Sequence, residues 1–228
     1  MRVWILFSFL IVLGFSCKRR EAGEKELVYA GSIYVRYLNP EAYYTVQVEF
    51  GQKLSDSVLQ KPAWTSVPAF NGFLLQERTR SEQTRFYAGE FTAPYRSLMQ
   101  MELAQCPASL RRPALALSQP VLLLSGKTLQ LGEDFVFSLR DDQLVQYDES
   151  LVILLIDSDQ QAVNLEIKGP QPDHEFIIPA GFASSLKPGE VEFNLIKKKI
   201  YSLREGENKI LVNLEYYAPP ARIILRSS

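Results

Sequence analysis

The chain has few of the residues on which most catalytic and metal sites are built. Its 228 residues include one histidine, His174, and two cysteines, Cys17 and Cys106. A single histidine excludes multi-histidine metal sites and proton relays between paired histidines. His174 stands between Asp173 and Glu175, a setting typical of a charged loop. We therefore expect no catalytic residues, no metal site and no cofactor.

An excess of charge of one sign is also lacking. The 25 lysines and arginines nearly balance the 26 aspartates and glutamates, which leaves a formal net charge of -1. Such a chain produces no overall field that would attract a phosphate backbone, so nucleic acid is not an expected partner. Hydrophobic residues make up 46% of the chain and aromatic residues 11%, which is enough to build a packed core.

Long hydrophobic runs are missing except near the N-terminus, where an apolar stretch covers residues 3–15. The stretch follows Arg2 and contains 13 residues. A helix that crosses the hydrocarbon core of a membrane needs roughly 20 apolar residues. The stretch therefore predicts a signal peptide, and we expect the rest of the chain to be exported.

Gly14-Phe15-Ser16-Cys17 ends this stretch and resembles the processing site of bacterial lipoprotein signal peptides, in the looser form found in the Bacteroidota. The resemblance implies that residues 1–16 are removed and that Cys17 carries lipid. Residues 17–26 would then be a tether to a membrane of the cell envelope, such as the periplasmic or surface face of an outer membrane. Lys18-Arg19-Arg20 follows directly, and positive charge at this place resists translocation. An ordinary cleaved signal and an uncleaved anchor therefore remain as alternatives.

Lipidation of Cys17 would leave Cys106 as the one remaining cysteine. An internal disulfide would then be impossible, and the fold would depend on its core. An isolated cysteine is most often a small buried hydrophobic residue, which is what we expect of Cys106.

Alternation with a period of two is the main structural signal. Three sets of apolar residues each define one face of a strand: Tyr44, Val46, Val48 and Phe50; Val191, Phe193 and Leu195; and Ile210, Val212, Leu214 and Tyr216. Residues 151–156 and 162–167 flank Asp157-Ser158-Asp159-Gln160, whose composition favours a turn. This arrangement predicts an antiparallel hairpin.

Short strands separated by polar turns, without a long amphipathic helix, predict an all-β fold. We expect two tandem antiparallel β-sandwich domains, at residues 27–105 and 119–228. Residues 106–118 between them contain Pro107 and Pro113, which indicate a linker. The strand pattern of the second domain resembles immunoglobulin-like sandwiches, although the cysteine pair and core tryptophan of antibody domains are missing.

Two short motifs resemble ligand-binding loops only in part. Ser125-Gly126-Lys127-Thr128 matches the end of a phosphate-binding loop, but Val121 stands where the upstream glycine is required, so we expect a turn. Asp157 and Asp159 have the spacing of a calcium loop, whereas three later positions depart from it. We expect a hairpin tip there and leave weak calcium binding open.

Aromatic residues are frequent in the first half of the chain. We expect most of them in the core, because a sandwich needs large inward side chains. Trp64, in the loop 62–68, is the best candidate for an exposed ring that binds a ligand, and Tyr43 and Tyr44 are further candidates. We expect Lys197-Lys198-Lys199 to form a solvated edge of a sheet, since lysines there prevent pairing with other chains.

Together these features favour a non-enzymatic lipoprotein of the cell envelope whose β-domains bind a protein or serve as a structural module. Its partners would be the membrane, through the lipid, and a protein of the envelope. The alternative is a carbohydrate-binding surface lipoprotein that presents aromatic rings to glycan. A hydrolase is a third alternative, for which the sequence shows neither a nucleophile constellation nor a metal set. An exposed aromatic platform ringed by polar groups favours glycan, and an exposed apolar patch favours a protein partner.

Overall fold

The computed structural model describes residues 28–55, 58–140, 146–171 and 175–227. The strands, in chain order, are β1 (Val28–Leu38), β2 (Tyr43–Ser55), β3 (Val58–Gln60), β4 (Ala69–Phe70), β5 (Phe73–Leu74), β6 (Gln76–Arg78), β7 (Arg85–Thr92), β8 (Leu98–Glu102), β9 (Ala114–Ala116), β10 (Val121–Leu124), β11 (Thr128–Gln130), β12 (Phe135–Arg140), β13 (Glu149–Ile156), β14 (Ala162–Lys168), β15 (Glu175–Ile178), β16 (Gly189–Glu205), β17 (Asn208–Tyr217) and β18 (Ala221–Arg226). One 3-10 turn covers Ala108–Leu110. The predicted all-β class is confirmed. These described ranges include no helix with the length and hydropathy needed to span a membrane.

The main sheet has the strand order β11-β18-β16-β17-β1-β2-β7-β6, with β13 beside β16, β14 beside β13 and β3 beside β2. The alternating residues predicted to face inward on β2, β16 and β17 are all buried. The predicted hairpin is confirmed, because β13 and β14 pair in antiparallel register from Ser150–Lys168 to Ile156–Ala162. Pairing is antiparallel throughout the described strands except for the parallel pairs β1–β17 and β11–β18.

Two smaller sheets cover the inward face of the main sheet. One has the order β10-β12-β15, and the other, which we call the small sheet, has the order β5-β4-β8-β9. Phe137 of β12 packs edge-to-face on Phe193 of β16, with the ring centroids 5.7 Å apart. Phe70 of β4 packs on Tyr44 of β2 at 5.4 Å. Contacts of this kind between facing sheets are those of a β-sandwich.

One sheet and one core cross the predicted domain boundary. Strand β1 lies between β2 and β17, so the first and last parts of the described chain are neighbours in the main sheet. A single buried cluster contains residues of both predicted domains. The expected linker contributes to it Cys106, Leu110, Leu115 and Leu117.

The segment 106–118 therefore contributes side chains to the core and is not a wholly exposed connection. The backbone of this segment is bonded at both ends, since Leu103 N donates to Arg111 O at 2.7 Å and Leu117 N donates to Ser97 O at 3.0 Å. Pro107 and Pro113 exclude a helix but leave β9 free to pair with β8. The apolar side chains of the segment then fall on the inward side of the small sheet.

Candidate functional site

Two of the three aromatic residues predicted to bind a ligand are buried. The expectation that Trp64 is exposed is wrong, because its side chain is only 6% exposed. Its ring packs on Phe50 at 4.4 Å and on Tyr29 at 5.7 Å, so the proline-bounded loop folds over the core. Tyr44 is also fully buried. Only Tyr43 is partly exposed, and its hydroxyl donates to Glu90 Oε2 at 2.8 Å.

Lys197-Lys198-Lys199 does not form a sheet edge. Strand β16 is paired on both sides at this point, with β13 and with β17. Lys197 continues the inward alternation of Leu195 and is 0% exposed. Lys198 points to the opposite, outward face, where it is partly exposed. The expectation failed because it used the charge of the three residues without the parity of their strand.

Lys197 forms a buried ion pair with Glu149. The ammonium nitrogen lies 3.0 Å from Glu149 Oε2 and donates to Ser118 Oγ at 2.6 Å. Lys199 Nζ lies 3.4 Å from the other carboxylate oxygen of Glu149 and 3.6 Å from Asp148 Oδ2. Burial lowers the pKa of Lys197, and the Glu149 carboxylate opposes that shift. The pair joins β13, β16 and residue 118 inside the core. Lys197 is fully buried, so we assign the pair a structural role.

A group of tyrosines lies next to this pair. The ring of Tyr37 lies 4.9 Å from that of Tyr95 and 5.5 Å from that of Tyr216, and Tyr95 and Tyr216 are 4.7 Å apart. Tyr95 donates its hydroxyl hydrogen to the carbonyl of Leu117. The Tyr216 hydroxyl is buried and has no hydrogen-bond partner among the described residues, although Gln119 approaches it. Burial raises the pKa of Tyr216.

A cavity of about 270 Å³ opens beside the tyrosines, where β17 gives way to β18. Ala218-Pro219-Pro220 interrupts the ladder there, since proline has no N–H to donate. The cavity is lined by Asn39, Gln119, Pro120, Val121, Leu122, Leu124, Ala218, Pro219 and Ala221. Its wall is thus apolar, with two amide side chains.

The outward face of the small sheet carries the most exposed leucines of the described chain. Leu74 is 73% exposed and Leu98 is 65% exposed. Registers β4–β5, β4–β8 and β8–β9 place them on the side opposite the buried Met99 and Met101. We call this surface the small-sheet face; it comprises Ala69, Leu74, Leu98, Gln100, Glu102, Ala114 and Ala116. The face is mixed, because Gln100 and Glu102 lie between the two leucines, and Leu74 and Leu98 are its exposed apolar side chains. Exposed leucines of this kind are candidates for contact with another macromolecule.

The sequence contained only a weak signal for this face. Strands β4 and β5 have two residues each, which is too short for a recognisable alternation. Phe73 of the same hairpin is 46% exposed and stacks on Phe91 at 4.5 Å. Leu74 is the next residue along β5, so its side chain points to the opposite side of the small sheet, into solvent.

The carboxylates of the hairpin tip are already used by the protein. Asp157 Oδ1 accepts from the N–H groups of Asp159 and Gln161, both at 2.9 Å, and Oδ2 accepts from that of Lys187 at 2.8 Å. Asp159 forms an ion pair with Lys187 at 3.1 Å. Asp157 therefore fixes the turn, and the described residues contain no group of three potential metal ligands.

Cys17, which the sequence predicts to carry lipid, the predicted tether and His174 lie outside the described residues. Ser125 and Gly126 follow β10 directly and lead into β11, which agrees with the expected turn. Cys106 is buried as expected, and burial raises the pKa of its thiol to about 12.

No protein-family model matches the chain, and no curated protein is similar to it in sequence.

Proposed function

We propose that this chain is a non-enzymatic lipoprotein of the bacterial cell envelope that binds a partner protein through the small-sheet face. The apolar stretch at 3–15 and Cys17 support the anchor. Leu74 and Leu98 support the protein partner, and their exposure is the observation that carries the proposal. Complete burial of a leucine against a partner contributes about 1.5–3 kcal/mol, which makes these two side chains natural anchors.

The position of the face in the fold supports the same function. Strand β5 ends the small sheet and pairs only with β4 among the described strands. An end strand with an apolar side chain lets a partner add both backbone hydrogen bonds and side-chain contacts. Alanines on β9 keep the surface flat, so a partner can approach the leucines closely.

The alternative function, glycan binding through exposed aromatic rings, loses most of its original support. Trp64 and Tyr44 present no ring face to solvent, because both are packed among other aromatic residues. Of the three rings that the sequence predicted to bind a ligand, only Tyr43 remains a candidate. One ring supports much less stacking than a platform of several rings would.

The test is a capture experiment with the lipidated protein in its native membrane. The full-length protein carries a photo-crosslinking residue at position 100, between the two leucines on the small-sheet face. We expect a discrete crosslinked protein when both leucines are intact. Capture should fall roughly tenfold or more when Leu74→Glu and Leu98→Glu are combined. Tyr147→Glu is the matched control, because Tyr147 is also highly exposed and lies in a turn outside this face.

The outcomes separate the two functions. Capture that survives Leu74→Glu with Leu98→Glu but requires Tyr147 would place the contact elsewhere and contradict the proposal. Absence of any crosslinked protein, together with saturable binding of a neutral polysaccharide, would favour the glycan alternative. Far-ultraviolet circular dichroism of each variant checks that the fold is retained.

A further inference from the structure

A polar surface lies on the outward face of the main sheet, away from the small-sheet face. Its central row runs across three strands, in which Lys198 of β16 is opposite Glu215 of β17, and Glu215 is opposite Arg36 of β1. Tyr34 lies two residues before Arg36 on β1, and Tyr217 lies two residues after Glu215 on β17. These five residues form what we call the arginine site.

The single carboxylate of the arginine site is fully engaged by its neighbours. Glu215 Oε2 accepts hydrogen bonds from the hydroxyls of Tyr34 at 2.8 Å and Tyr217 at 3.2 Å. Lys198 Nζ lies 3.7 Å from the other oxygen, Glu215 Oε1. Burial and the Glu215 carboxylate both raise the pKa of Tyr34, so its hydroxyl stays protonated and remains a donor. The two rings are thereby held in place on either side of Arg36.

Arg36 has no such carboxylate. Its guanidinium carbon lies 5.9 Å from the centroid of the Tyr34 ring and 5.9 Å from that of the Tyr217 ring. No ion pair of the described residues includes Arg36, and its covered Nε has no hydrogen-bond partner among them, although the guanidinium also interacts with the Tyr217 hydroxyl. A partly buried charge normally acquires an ionic partner, because cation–π contacts offset only part of its lost hydration. The arginine site thus has two cations and one carboxylate.

The neighbouring row supplies groups that bind hydroxyls. Asn213 of β17 and Gln47 of β2 lie on either side of Tyr34 in the register of the main sheet. The Oδ1 atom of Asn213 is covered and has no hydrogen-bond partner in the described part of the chain. Ile200, opposite Asn213 on β16, is half exposed and adds an apolar side chain to this row. A ligand above this face therefore meets a cation, aromatic rings and amides together.

We infer that the arginine site binds a carboxylated sugar residue of an acidic polysaccharide. A carboxylate matches the fork of the Arg36 guanidinium in a bidentate geometry, and Lys198 adds a second positive charge. The tyrosine rings flank the sugar ring, and the amides of Asn213 and Gln47 accept and donate hydrogen bonds with its hydroxyls. The carboxylates of an acidic peptide would also pair with Arg36, but such a peptide has no row of hydroxyls to bind the amide side chains of Asn213 and Gln47.

The test measures binding of trigalacturonic acid by calorimetry, with the full-length lipidated protein in detergent. We expect saturable binding, no comparable binding of neutral maltotriose, and much weaker binding of triglutamate. Arg36→Gln should reduce the affinity roughly tenfold to hundredfold, and Arg36→Lys should restore only part of it, because lysine keeps the charge but loses the fork. Arg222→Gln is the matched control, since Arg222 is exposed and paired with Glu190 on β18 and β16.

Three results with the wild-type protein would overturn the inference. These are no binding of trigalacturonic acid at millimolar concentration, equal affinity for maltotriose, and equal or tighter binding of triglutamate, which would make the ligand a peptide carboxylate. Unchanged affinity in Arg36→Gln would also overturn it. Thermal unfolding of each variant is measured in parallel. The preference of the wild-type protein for trigalacturonic acid over maltotriose and triglutamate tests the inference even if a variant fails to fold.

Discussion

Lys197 and Glu149 place opposite charges inside the core of the protein. Transfer of each charge out of water costs several kcal/mol, and their mutual attraction offsets this only when further hydrogen bonds satisfy both groups. Ser118 accepts from the lysine, while Lys199 and the N–H of Gln146 contact the Glu149 carboxylate. The arrangement meets that condition. Removal of one partner should therefore cost much more than removal of both.

We expect Lys197→Met to lower the free energy of unfolding by about 3–5 kcal/mol, because it leaves the buried Glu149 carboxylate without its main partner. Combining Lys197→Met with Glu149→Gln should recover part of that loss. Equilibrium unfolding in urea measures both variants. Lys198→Met is the control, and its outward, partly exposed position predicts a change within about 1 kcal/mol. An unfolding midpoint of Lys197→Met equal to that of the wild type would contradict the account.

At the scale of an element, the β13–β14 hairpin depends on one aspartate in its turn. Asp157 accepts three backbone N–H groups, two from the turn itself and one from Lys187 before β16. Asp157→Asn keeps the oxygen that binds Asp159 and Gln161 but cannot accept from Lys187 with its amide nitrogen. Asp157→Ala loses all three bonds. We expect thermal unfolding temperatures in the order wild type, Asp157→Asn, Asp157→Ala.

The same turn should respond to pH. The N–H of Lys187, followed by those of Gln161 and Asp159, lowers the pKa of Asp157 below its ordinary value of about 3.9. A carboxyl with a lowered pKa stabilises the fold above the ordinary value, and this contribution is lost as the pH falls through the lowered pKa. The stability difference between wild type and Asp157→Asn should therefore be complete at pH 6 and narrow below about pH 4. A constant difference from pH 6 to pH 2.5 would contradict this cause.

At the scale of the whole molecule, both ends of the described chain meet in one sheet. Strand β1 fills the position between β2 and β17, and its inward residues belong to the shared core. Residues 119–228 alone would expose the edge of β17 and its apolar neighbours. We expect neither 27–105 nor 119–228, expressed separately, to unfold cooperatively when heated, whereas the joined chain does. A cooperative transition of either fragment, followed by circular dichroism, would instead support the two tandem domains.

The proposed anchor is also tested on the whole molecule. Expression of the full gene in a suitable bacterium should give a mature product that begins at Cys17 and has added acyl mass, as measured by intact mass spectrometry. Cys17→Ser should remove the acyl mass and release the protein from the membrane fraction. Retention of residues 1–16, or an unmodified N-terminus in the wild type, would contradict lipidation.

The parity of strand residues was the most informative part of the sequence. Tyr44, Val46 and Val48 alternate so regularly that their burial followed from the pattern. The same rule, continued from Leu195, places Lys197 inward, and the rule counted back from Leu151 places Glu149 inward. The burial of the ion pair was therefore predictable, although the pairing was not, because it depends on which strand becomes the neighbour of β16.

Other features had no local signal. Trp64 lies in a loop between prolines, and its packing on Phe50 and Tyr29 depends on contacts with β2 and β1. Arg36 is one of many charged residues in the sequence, and only the register of β1 with β17 places it beside Glu215 and Tyr217. Nothing in the local sequence distinguishes Leu74 and Leu98 from buried leucines, because their exposure depends on the strand pairing of the small sheet.

The sequence by itself determined the class of the fold and the inward face of its long strands, because side chains alternate along any strand whatever its neighbours are. The hairpin at Asp157 followed for the same local reason. Tertiary structure decided which strands pair, so it joined the predicted domains through β1 and β17 and brought Lys197 to Glu149. Strand pairing is decided by contacts between residues far apart in the chain, and those contacts are energetically comparable for many alternatives until the whole core is assembled.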